Sequence, residues 1–345
     1  MTAYASSPRL ENIQSLKGLA CILVVAYHVI GSGPGSGLGL PENSWLRQAS
    51  DALALIRMPL FTFLSGYLFS VRPVIAGQYS RFLRKKLLRL YVPAIVVGLL
   101  YFALSSLAPG VNGRPDLLEP LKLLVYPYVH YWFVQALIVI LVLVGLAETQ
   151  GLLATRNRFV MVLLATIVIQ LFGTREIHIF SLSGAEYLAP FFVMGIGMHR
   201  YASSIRWNAS FSALVAGIFG ITLSIHTAGV FGVFGAPLKI CTFLSLLLSA
   251  SGLLVLCRVF PVVRALAYIG QFSFTIYLFH VFFTAGMRTF AHAAGLDATV
   301  ALLGLGMLAG ICGPIFVDLF VKRMPNPFPI CLLGIPVKRL ELTAR

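Results

Sequence analysis

The sequence predicts an all-α integral membrane protein of about ten transmembrane helices with both termini cytoplasmic. Three observations predict it. Mean hydropathy is +0.90. Only 11% of residues are charged, against roughly 25% in soluble domains. Apolar stretches close to the roughly 20 residues that cross a bilayer follow one another along the whole chain.

The expected spans are 14–31, 52–71, 88–107, 128–147, 159–173, 187–199, 209–229, 237–256, 267–285 and 298–321. The first contains LKGLACILVVAYHVI, apolar between Lys17 at its start and His28 near its far end. The second runs through RMPLFTFLSGYLF after Arg57, and the third, LRLYVPAIVVGLLYFALSSL, emerges from a basic run. The fourth opens with His130 and Trp132 and is then apolar. FVMVLLATIVIQLFG and YLAPFFVMGIGMH are shorter. The seventh and eighth are largely apolar, with Lys239 near the start of the eighth; the ninth is rich in aromatics around Tyr277 and His280, and the tenth is apolar as far as Asp318. No repeat and no long hydrophilic segment interrupts the series, so residues 1–345 read as one membrane domain. The proline-rich tail PNPFPICLLGIPVKRL cannot extend the last helix and is expected at the cytoplasmic surface.

A net charge of +15 suggests nucleic acid at first sight. The positions of the charges argue otherwise. With the N-terminus inside, 19 of the 26 basic residues fall on the cytoplasmic side, while the outer side takes Arg47, Arg114, Lys122, Arg175 and Arg288. That asymmetry orients a membrane protein and leaves no call for a nucleic-acid partner. The 72–89 loop is then cytoplasmic, and the 31–51 and 286–297 loops face outward. Cys21, Cys241, Cys257, Cys312 and Cys331 are isolated, with no CxxC, so neither a disulfide nor a metal site is expected. A basic start, an apolar run and the small residues GSGPGSG imitate a signal peptide, but nine further spans argue against cleavage. The Gly-rich loop 31–41 reads as a linker rather than a lid.

Ionisable groups inside a bilayer are costly and read as site residues by default. Lys17 and His28 are eleven residues apart, which on a helix leaves about 20° between them and about 16 Å along the axis. One face presents both. Topology also brings Arg57, His130, Lys239 and His280 to the outer half. His130 and Trp132 serve either a site or an interfacial belt, and Lys239 snorkels. In QYSRFLRKKLLRLYVP, Arg81, Lys85 and Arg89 form one stripe if helical, with Arg84 and Lys86 beside it. It suits a phosphate-rich ligand as well as it suits anionic lipid.

Six segments in order carry a resemblance: IQSLKGLACILVVAYH, RMPLFTFLSGYLF, FLRKKLLRLYVP, HYWFVQALIVI, YLAPFFVMGIGM and IGQFSFTIYLFH. Together they resemble the membrane acyltransferase family 3, bacterial enzymes that move acyl groups from coenzyme A to sugar hydroxyls. The resemblance covers most of the chain. It implies His28 as the catalytic histidine and Lys17 as its basic partner. An RxxR element tied to the acyl donor has two near matches, Arg81 with Arg84 and Lys86 with Arg89. Arg57 departs from the branch with His before MPLF, and Tyr277 with His280 matches the aromatic-and-His ending. The implied setting is the bacterial inner membrane, multi-pass. The implied partners are acyl-CoA, with acetyl-CoA foremost, as donor substrate rather than resident cofactor; a sugar or glycan acceptor, free or lipid-linked; and membrane lipid.

The chemistry fits. Acyl transfer needs a base for the acceptor hydroxyl and stabilisation of the oxyanion, and histidine titrates near neutrality. The other reading is a transporter or flippase for a glycan or lipid intermediate with histidines as proton relays. Against it, the halves show no inverted repeat, and Asp318 is the single acidic residue in an expected span, four residues from Lys322 and read as its structural partner.

Overall fold

The computed structural model describes residues 8–107, 120, 123–204 and 207–335. Arg114, Lys122, Arg206, Lys338, Arg339 and Arg345, all used in the charge count, lie outside them, as does the tail beyond residue 335. The described residues are helical, with no strand. The order is α1 (Pro8–Ile30), α2 (Trp45–Ala52), α3 (Ala54–Val71), α4 (Tyr79–Lys86), a π-helical turn (Leu87–Tyr91) and α5 (Val92–Leu107). Then come α6 (Trp132–Thr149), α7 (Arg156–Phe172), α8 (Leu182–Arg200), α9 (Ala209–Val230) and α10 (Phe243–Val259). The described residues close with α11 (Arg264–Gln271), α12 (Ser273–Ala293), α13 (Thr299–Val321) and α14 (Phe328–Leu333).

A helix stands at each of the ten expected positions. Among the described residues, seven helices are long and apolar enough to cross a membrane, and the bent pair α11 and α12 brings eight. Helices α7 and α10 have 17 residues each, about 26 Å against a hydrocarbon core of about 30 Å.

Three local expectations change. The segment 72–89 is only partly a loop: a 29-residue helical stretch, Tyr79–Leu107, begins inside it. Pro93 has no N–H to give the Arg89 carbonyl and its ring would crowd that carbonyl, so the helix widens into the π turn just before it. The stripe of Arg81, Lys85 and Arg89 presumes a regular α-helix, and the π turn rotates Arg89 out of that register. Segment 286–297 is likewise mostly helix, because α12 continues to Ala293. The third change is at 267–285, where α11 meets α12 at 83°.

The packing has a core and a shell. Helix α3 is the most buried, and Leu60, Phe63, Phe191, Phe192 and Ile196 close its contact with α8. The two backbones touch: a Cβ added at Gly66 would overlap the Phe192 carbonyl, and one at Gly195 would overlap that of Phe63. In a bilayer, where lipid is as apolar as leucine, such close van der Waals contact is a main source of helix association. Leu214, Ile221, Leu308 and Phe316 are exposed on α9 and α13, as a lipid-facing shell requires. Cross-links fix the frame: Asn12 donates to the Phe260 carbonyl (2.6 Å) and Ser249 to that of Leu55 (2.5 Å). The Asp318–Lys322 ion pair forms as the spacing suggests, and Thr275 also donates to Asp318 (2.7 Å).

Candidate functional site

Helices α1, α3, α5, α6, α12 and α13 enclose a cavity of about 950 Å³ at the end of the bundle where α1 finishes. His28, Arg57, His130, Trp132 and Tyr277 line it. His280 lies directly behind, fully buried. The three histidine rings form a triangle with centroid separations of 4.8 Å (His28 to His280), 5.0 Å (His130 to His280) and 5.7 Å (His28 to His130).

Each ring is held differently. His280 sits mid-helix with Nδ1 at 2.8 Å from the Ile276 carbonyl and 2.9 Å from that of Tyr277. Carbonyls only accept, so Nδ1 carries the proton, and in the neutral ring Nε2 keeps its lone pair. That Nε2 is buried without a hydrogen-bond partner. His130 precedes α6; the Tyr277 hydroxyl donates to its backbone carbonyl, and neither ring nitrogen has a partner of normal geometry. His28 is half-buried and faces the cavity. The arrangement is a wall of imidazoles with one ring presented to whatever enters.

Arg57 stands beside them. Its guanidinium lies over the Tyr27 ring at 4.1 Å. Nη2 donates to the Ser50 carbonyl (2.8 Å) and contacts its hydroxyl (3.3 Å), while Nε has no partner. The side chain is fixed by neutral groups.

Other expected residues fall elsewhere. Lys17 bonds to Gln14 (3.3 Å) and does not line the cavity. Lys239 is exposed in the loop before α10 and takes no part. Arg81, Arg84 and Arg89 are exposed near the opposite end, and Lys86 turns back over the Phe82 ring (5.4 Å). Arg89 precedes the cavity-lining Tyr101 by twelve residues, about 18 Å along the helix.

The structure adds what the sequence reading missed. The 31–41 loop is no idle linker: Ser32, Ser36, Gly37 and Leu38 form part of the cavity wall. Gly31 (φ +96°) and Gly37 (φ +55°) let the chain fold back so that Leu38 donates to the Val29 carbonyl (3.0 Å). Arg288 then ties the loop to α12 by donating to the Gly37 carbonyl (2.7 Å). Buried Arg47 does the same at Leu40 (2.9 Å). One signal could have found Arg288. Tyr277, His280, Thr284 and Arg288 are spaced three, four and four apart, one helical face had the helix been extended past residue 285.

A family described as an acyltransferase domain, acyltransferase family 3, matches residues 10–319. The chain belongs to this family. It is therefore an acyltransferase, and its apolar helices make it a multi-pass membrane enzyme. No curated protein and no solved structure matches the chain. The matched region contains every residue that lines the cavity.

Proposed function

We propose that this acyltransferase moves an acetyl or similar small acyl group from cytosolic acyl-CoA to a hydroxyl of a cell-surface sugar or lipid-linked glycan, in a bacterial inner membrane. The observation that carries the reading is His28 in the wall of a large cavity at one end of the bundle, with the exposed Arg81, Arg84 and Arg89 near the other. The cavity end is the outer one in this reading, both termini are cytoplasmic, and residues 1–345 act as one domain.

Coenzyme A phosphates cannot enter hydrocarbon cheaply and bind the basic surface, where arginine offers forked, charge-assisted donors. The pantetheine arm threads inward past Lys17. His28 takes the proton of the acceptor hydroxyl as its oxygen attacks the thioester carbon. Collapse of the tetrahedral adduct expels the coenzyme A thiolate, which recovers that proton from His28 and leaves an ester on the sugar. A route through acyl-His28 uses the same side chain. His280 orients the His28 ring, and Arg57, with its free Nε–H, is placed to stabilise developing negative charge.

The experiment is transfer of label from acetyl-CoA by purified enzyme, with transport into sealed vesicles as the contrary result. Arg89→Ala should raise the acyl-CoA KM by about 10-fold or more, since a charge-assisted contact is worth roughly 1.5–3 kcal/mol. An unchanged KM in a correctly inserted protein would reduce the basic run to a topology signal. Orientation is tested separately. An impermeant thiol reagent on intact cells should modify Gly35→Cys, where an added Cβ meets nothing within 4 Å, and spare the exposed Ser80→Cys. The opposite pattern would invert donor and acceptor sides.

A further inference from the structure

We propose that the acceptor bound in this cavity is anionic, carrying a carboxylate on the reacting sugar or a phosphate linking that sugar to its carrier. The inference rests on reading the cavity as the acceptor site and names the class of acceptor. Two arginines, Arg57 and Arg288, line the cavity, and no aspartate or glutamate does so among the described residues.

Their protein partners are all neutral. Arg57 is 6% exposed and is held by Ser50 and the Tyr27 face, with Nε unpartnered. Asp51 on α2 lies within electrostatic range but forms no ion pair with it. Arg288 gives Nη1 to the Gly37 carbonyl. A guanidinium has five N–H donors, so each keeps several to offer. A buried cation with no carboxylate in direct contact is expensive. An anionic ligand supplies the directly paired charge that the protein does not, and arginine pairs with carboxylate or phosphate through two parallel hydrogen bonds.

Position separates the two sources of charge. Arg57 stacks on Tyr27, the neighbour of His28, and so sits at the reacting ring. Arg288 follows His280 by eight residues, about 12 Å further along α12 toward the mouth. A sugar carboxylate would meet Arg57, and a phosphate beyond the sugar would meet Arg288. The remaining wall, with Tyr101, Trp132, Phe282 and Phe290, suits sugar faces and an apolar carrier.

The test uses three probes with one chain length: octyl glucoside, octyl glucuronide and octyl glucosyl phosphate, titrated calorimetrically into the full-length enzyme in lipid nanodiscs. At least one anionic probe should bind about 10-fold or more tightly than the neutral one, with the gap narrowing as salt rises. Arg57→Gln should erase a glucuronide preference and Arg288→Gln a phosphate preference, while Arg288→Lys, which keeps the charge, should retain most of it. Equal binding of all three probes, or binding of none, overturns the proposal. So does displacement of the anionic probe by coenzyme A, which would assign the arginines to the donor. Binding is read without turnover, so failure to transfer label from acetyl-CoA counts against the acyl-transfer scheme alone.

Discussion

His28→Gln is expected to reduce acyl transfer by about 10²- to 10⁴-fold, the usual contribution of a general base, while acyl-CoA still binds. Glutamine keeps much of the size of the ring and can hydrogen-bond, but it has no nitrogen that titrates near neutrality. A histidine present only to pack against Tyr27 (5.0 Å between rings) and His280 would tolerate the change. Labelled acetyl-CoA transfer measured from pH 6 to 8, roughly the range over which histidine titrates, decides the matter. Near wild-type rates across that range would remove His28 from the chemistry. Donor affinity should not move, because the basic residues assigned to coenzyme A lie near the opposite end of the bundle from the imidazole triangle.

Gly66→Val should cost more than His28→Gln in stability and destroy activity indirectly. The new Cβ would overlap the Phe192 backbone, which cannot swing aside as a side chain could, so α3 and α8 must separate. Overpacking a core costs about 1–3 kcal/mol and occasionally more, and here the strain falls on the most buried helix. Arg57 rides on the same helix, so its seat over Tyr27 would be lost as well. Thermal unfolding in detergent checks this, with Gly217→Val on α9 as the control, since a Cβ there meets nothing within 4 Å. Equal melting of the two variants would mean that the α3–α8 contact is not what holds the bundle.

Much of this molecule is legible in its sequence. Long apolar runs determine helices in a bilayer because no other open structure satisfies its own backbone there, and a helix was found at every expected position. All six segments that carry the family resemblance lie within the region the family match covers. The Asp318–Lys322 pair is a contact within one turn, and spacing alone reveals such contacts.

What the sequence by itself could not decide is where side chains on different helices meet. His28, His130 and His280 are separated by 102 and 150 residues, and only the packing of α1, the start of α6 and α12 brings their rings within 6 Å. The same packing leaves Lys239 out and brings Arg288 in. Hydropathy also misjudged the polar ends of helices. It stopped at residue 285 and read a loop, although α12 continues past the apolar run because its face there borders a cavity rather than lipid. The basic run before Val92 misled in the same way, since charge says which side of the membrane a segment faces and nothing about whether it is coiled. The wall formed by the 31–41 loop was the least legible of all: glycine composition is equally that of a linker, and it is the hydrogen bonds from Arg47 and from Arg288, the latter 251 residues away, that make it a surface.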